Sequence, residues 1–145
     1  MLVALLSAFV LMPSRDPDVW TSLPLPPDAE GTMAYRRLAA ESDDADPRMV
    51  LRVTPFEPRA WTSGEMTYAF DCNARTMTML GLRSLDADDH ELQSVAVPED
   101  RRKAEPIYAG DDAYALIYAD LCPDGPPLDE PPAPLPPPIA VSPAP

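Results

Sequence analysis

Histidine and lysine are nearly absent from this chain: 145 residues hold one of each, His90 and Lys103. The lone histidine lies in a charged turn and reads as a surface residue rather than a catalytic base, and with two cysteines it supplies too few ligands for a metal site. Glycine is scarce too. Five scattered glycines form no phosphate-cradling loop, and no Gly-x-Ser-x-Gly elbow is present. Basic charge is short overall: 11 Lys and Arg face 24 Asp and Glu, the net charge is −13, and the one basic cluster is Arg101-Arg102-Lys103. Such a surface repels phosphate backbones and anionic lipid, which excludes nucleic acid as the expected partner. The acids are read as solubilising charge. No catalytic, cofactor-binding or metal-ligating set emerges, and the chain is expected not to be an enzyme.

Long apolar runs are also missing. A bilayer-spanning helix needs roughly 20 apolar residues. The longest run, LVALLSAFVLM at 2–12, falls short of that but suits the apolar core of a secretory signal. Residues 1–16 are therefore read as a signal-like segment, although no basic residue precedes the run and no small-x-small cleavage site follows it. A buried N-terminal strand or helix is the competing reading.

Proline is what the chain has in excess. There are 21, and 11 of them fall in 123–145. Proline lacks an N–H donor and fixes φ, so this tail is expected to be disordered or polyproline-like, either as a spacer or as a ligand for an aromatic-lined groove. Between the two ends, residues 17–122 are left for one small domain.

Its centre is the stretch 61–85. Met66, Tyr68, Phe70 and Cys72 alternate with Glu65, Thr67, Ala69 and Asp71, the signature of a half-buried strand. A Cys-Asn-Ala-Arg corner follows, then a strand over 76–85 with apolar groups on both faces, so a central strand or a bulge near Gly81 is expected. The stretch 18–25 carries Trp20 in a short first strand, 48–54 is β-rich, and 32–40 fits strand or helix equally. The acidic run 41–47 lacks the glycine of a calcium loop and reads as a solvated turn. The polar turn 86–91 leads into a return strand at 92–97, with His90 a surface residue of that turn. Residues 111–122 read as a helix capped by Asp111 or Asp112, with Ala113, Leu116, Ile117 and Leu121 as its apolar stripe and Tyr114 and Tyr118 beside it.

Two cysteines 50 residues apart, one on a strand and one at a helix end, behind a signal-like segment, read as a single disulfide, Cys72–Cys122. Two separate thiols in a reducing compartment are the alternative. Asp71, at the strand end, is read as a carboxylate that accepts turn N–H groups and steadies the corner.

The pieces at 68–75 (YAFDCNAR), Leu85-Asp86, Val97-Pro98 and Leu121-Cys122 together resemble the surface-adhesin protein E family over about two-fifths of the chain. The turn at 86–91 departs from that pattern in lacking a glycine, as does the proline tail. The resemblance implies an α+β domain, with a small antiparallel sheet and a C-terminal helix tethered by one disulfide. It marks Asp71, Asn73 and Arg75 as the corner motif. It also implies export to the periplasm or the outer-membrane surface of a Gram-negative bacterium, and protein partners at the envelope or a host surface. The function expected is an exported, non-enzymatic protein-binding domain. A ligand carrier or enzyme using a helix–sheet cleft lined by Tyr114, Tyr118, Met77 or Met79 is the alternative.

Overall fold

Where apolar side chains recur at every second position, the chain is extended and joins one sheet. The computed structural model describes residues 19–38, 45–57 and 59–134. The strands are β1 (Thr21–Ser22), β2 (Gly31–Arg37), β3 (Arg48–Pro55), β4 (Ser63–Asp71), β5 (Thr76–Leu85), β6 (Glu91–Ala96) and β7 (Ala104–Pro106), followed by one helix, α1 (Asp112–Leu121). The seven strands form an antiparallel meander in the order β1-β2-β3-β4-β5-β6, with β7 pairing the part of β5 that β6 leaves free. This is the α+β architecture expected, helix tethered to sheet by the Cys72–Cys122 disulfide.

The ambiguous stretch at 32–40 is strand as far as Arg37, with 39–40 outside the described residues, and pairing decides it: Met33, Tyr35 and Arg37 lie opposite Val53, Leu51 and Met49. The irregularity expected near Gly81 is present. Register slips between Thr67 and Tyr68, so that Leu80 is the extra residue on β5. Before the slip Met77 and Met79 point to the helix side of the sheet; after it Leu82 and Ser84 do. Gly81 sits where β6 comes closest, and a Cβ there would lie 2.9 Å from the Val95 carbonyl oxygen.

One face of the sheet and the helix make the main core: Tyr35, Met49, Leu51, Tyr68, Phe70 and Met77 below, Ile107, Ile117, Tyr118 and Leu121 above. Each fully buried aliphatic or aromatic side chain contributes roughly 1.5–3 kcal/mol. The helix is rotated from the orientation the sequence suggests. Leu116, placed on the apolar stripe, is 47% exposed, whereas Tyr118, placed beside it, is buried. The reason is polar satisfaction. The Tyr118 hydroxyl lies 2.9 Å from the Cys72 carbonyl oxygen and 2.8 Å from that of Pro126, its single proton shared between them. Asp111 occupies the N-cap position, but its carboxylate makes no capping hydrogen bond; the backbone carbonyl accepts the Ala115 N–H instead.

The start of the proline-rich segment lies against the domain. Asp129 bridges Tyr108, its carbonyl accepts the Ala109 N–H at 2.9 Å, and the Gly125 N–H donates to Cys122. A Cβ on Gly125 would lie 2.6 Å from the Tyr118 hydroxyl, so only glycine lets the chain pass there. The signal-like run at 2–12, most of the acidic run (41–44) and the end of the tail (135–145) lie outside the described residues.

Candidate functional site

The corner after β4 brings the sequence-selected residues together at one end of the sheet. Asp71 Oδ1 accepts the Ala74 N–H at 2.8 Å, closing the turn. Arg75 then takes a left-handed conformation, φ 58°, uncommon for a residue with a Cβ. Its carbonyl accepts the Ile107 N–H, and its guanidinium donates to Asp129 at 2.9 Å and to the Pro127 carbonyl at 3.2 Å. Cys72 and Cys122 are bonded, with Cα atoms 5.5 Å apart. Asn73 and the disulfide line a hollow of about 310 Å³ with Arg37, Asp124 and Gly125. Asp71 Oδ1 is engaged in the turn and the two sulfurs are bonded to each other. The corner locks strand, helix and tail together.

The face of the sheet away from the helix holds a charge cluster that sequence reading missed. Glu65 is 2% exposed. It lies directly between Arg52 on β3 and Arg83 on β5 in register, and each guanidinium Nε donates to a different carboxylate oxygen at 2.8 Å. Burial pushes the Glu65 pKa up, but the two arginines outweigh it and hold the carboxyl below its usual range. The guanidinium carbons of Arg52 and Arg36 lie over the Trp20 ring, 4.5 and 5.2 Å from its centroid. The alternation at 65–71 was legible, but the arginines stand 13 and 18 residues away, and only strand pairing brings them to Glu65.

Asp86, Asp88 and His90 offer oxygen and nitrogen atoms within 4.8 Å of one another in the β5–β6 turn. The turn itself accounts for this. Asp86 Oδ1 accepts the N–H groups of Asp88 and His90, both at 2.9 Å, and its other oxygen lies 3.3 Å from His90 Nδ1. The hydrogen bond from the His90 backbone, with help from the other donors, keeps the Asp86 carboxyl below its ordinary pKa. Asp89, at φ 61°, fills the left-handed position where a glycine would be expected.

The helix covers only part of its face of the sheet. Beyond it, Val53, Gly64, Met66, Leu82 and Gln93 floor an apolar groove of about 460 Å³. Trp61 borders this groove, its ring 3.7 Å from where a Gly64 Cβ would be. On the other side of the indole a second groove, about 470 Å³, runs over Leu25, Met33, Val53 and Pro55. The Arg59 guanidinium lies 5.8 Å from the Trp61 ring centroid. Leu82 and Val95, beside the first groove, are 46% and 47% exposed. The cleft proposed from Tyr114, Tyr118, Met77 and Met79 is largely filled: Tyr118 and Met77 are buried, and the Tyr114 and Tyr68 hydroxyls are 3.3 Å apart. About 200 Å³ remains over Tyr68, Met77 and Met79, rimmed by Arg101, Arg102 and Lys103.

Comparison of the chain with protein-family models, with curated proteins and with solved structures finds no match. Among the described residues no helix is long and apolar enough to cross a membrane.

Proposed function

We propose that this chain is an exported, non-enzymatic protein-binding domain of the bacterial envelope, adhesin-like in its mode of action. The observation that carries the reading is the open apolar half-face divided by Trp61. Tryptophan on a partly exposed apolar surface is the side chain most able to anchor a protein contact, because it buries a large area at small entropic cost. The grooves on either side are open along their length, which suits a protein segment better than an enclosed small molecule. The disulfide is compatible with an oxidising compartment. The resemblance of 68–75 and the terminal Leu-Cys to protein E adhesins points the same way.

The test has two arms. Intact mass of the protein from its native host, alkylated with and without reduction, is expected to show thiols that react only after reduction and loss of the N-terminal segment. Crosslinking on whole cells is then compared for the unaltered chain, Trp61→Ala and Leu82→Asp. Both variants are expected to lose the captured partner while keeping the wild-type Tm. A partner retained by both would overturn the assignment of this surface, and a full-length, freely alkylated protein would overturn export.

A further inference from the structure

The outer edge of β6 is the least protected strand edge in the molecule. The sheet order ends at β6, and among the described residues nothing pairs with its outer side. All six residues of Glu91–Ala96 are exposed, including Leu92 at 53% and Val95 at 47%. Edge strands are usually blunted by lysine, proline, an inward-pointing charge or a bulge; this one has a bulge at Leu92, where the β5–β6 register shifts, and none of these devices from Gln93 to Ala96. The backbone alternation states which groups are free. Val97 donates inward to the Leu80 carbonyl at 2.8 Å. In an antiparallel ladder the inward-bonded residues alternate, so Val95 and Gln93 also bond to β5, and Ser94 and Ala96 direct N–H and C=O outward.

Charge separates the two ends of this strand. Before it lies the turn carrying Asp86, Asp88 and Asp89, with Glu91 as its first residue; after it comes Arg101-Arg102-Lys103, the basic cluster of a chain with net charge −13. Glu99 is 3.7 Å from Arg102, and Asp100 is the other acid of that segment. Arg101 and Lys103 are exposed and form no ion pair among the described residues. An antiparallel partner strand of identical sequence would bring the acidic turn of each copy to the end of the other where Arg101, Arg102 and Lys103 outnumber Glu99 and Asp100 by one charge.

We propose that β6 is a self-association edge: two copies of this chain pair β6 to β6 antiparallel about a two-fold axis at Ser94. Ser94 then faces Ser94 of the second copy and Val95 faces Gln93, the regular ladder stopping before the bulge residue Leu92. Such an interface is isologous, so each favourable contact occurs twice and no open edge is left to propagate a fibre. The axis stands perpendicular to the sheet, because paired residues of neighbouring strands share a face. Both helices and both Trp61 grooves therefore point the same way, and a dimer presents two equal surfaces to one target.

The experiment is sedimentation equilibrium of the full, oxidised chain across protein and salt concentrations. A reversible dimer that weakens as salt rises is expected. Ser94→Pro removes one outward N–H without touching the β5 ladder and is expected to give a monomer of unchanged circular dichroism. Lys103→Glu is expected to weaken the dimer roughly two- to thirtyfold, from one surface ion pair in each symmetry-related half. Combining it with Asp88→Lys is expected to restore most of that loss. A chain that stays monomeric at its solubility limit would overturn the proposal. So would a dimer unaffected by both Ser94→Pro and Lys103→Glu. Neither outcome bears on Trp61, so this proposal and the binding function fail separately.

Discussion

Glu65 shows how one residue ties stability to pH. Its carboxyl titrates below its ordinary value in the folded chain because Arg52 and Arg83 both bond to it, and in the unfolded chain it returns to about 4.5. A depressed carboxylate contributes stability above the unfolded pKa and loses it as pH falls through the folded one. Melting temperature is therefore expected to drop as pH falls below that range, and Glu65→Gln is expected to flatten this acid limb. At neutral pH the same variant should cost about 1–3 kcal/mol by chemical denaturation, since it leaves two partly exposed arginines without their shared anion. Tyr35 has the opposite sign. Burial and its hydrogen bond to Asp120, at 2.9 Å, raise the phenol to about 12. A raised phenol contributes stability below the unfolded pKa of 10.0 that is lost as pH rises from there toward the folded value. Spectrophotometric titration should find Tyr35 ionising at about 12, and Tyr35→Phe should remove that part of the alkaline loss.

At the scale of elements, two close approaches decide how strands and tail sit. Gly81→Ala would press a Cβ to 2.9 Å from the Val95 carbonyl, so β6 must move out from β5. The expected result is a loss of about 1–3 kcal/mol and faster amide exchange in β6, with β2 to β4 unchanged. The helix is held by covalent and non-covalent means together. The disulfide closes a 50-residue separation, for which chain entropy gives about 4 kcal/mol. Reducing the folded protein should lower its stability by an amount of that order, read from denaturant midpoints with and without reductant. The helix orientation was not legible from the spacing of apolar residues, because hydropathy ranks leucine above tyrosine. Tyr118 is inside because backbone carbonyls of Cys72 and Pro126 accept its hydroxyl, while Leu116 has no neighbour on its side that fully covers it.

On the scale of the whole molecule, the domain extends past Cys122. Arg75 and Tyr118 hold residues 126–129, and Asp129 pairs with Tyr108, so the proline-rich segment begins as part of the fold. Truncation after Cys122 is expected to destabilise the domain by about 1–3 kcal/mol in urea, through the lost partner of a buried phenol and the lost bridge. Arg75→Ala should cost less, near 1 kcal/mol, because its pair with Asp129 is exposed.

Much of this architecture is local and was readable from the chain. Alternation marks strands because side chains in extended backbone point to opposite faces, so 65–72 and 76–85 announced β4 and β5. Proline and acidic runs marked the turns, and two cysteines on elements of different type marked the staple. What depended on residues far apart was decided only by the tertiary structure. The Arg52–Glu65–Arg83 ladder exists because three strands meet in one register, and a slip of one residue would move Glu65 to the other face. The grooves beside Trp61 exist because a ten-residue helix, Asp112–Leu121, is too short to cover a seven-stranded sheet. Local backbone preference is written residue by residue, whereas register and coverage follow from how the whole chain packs.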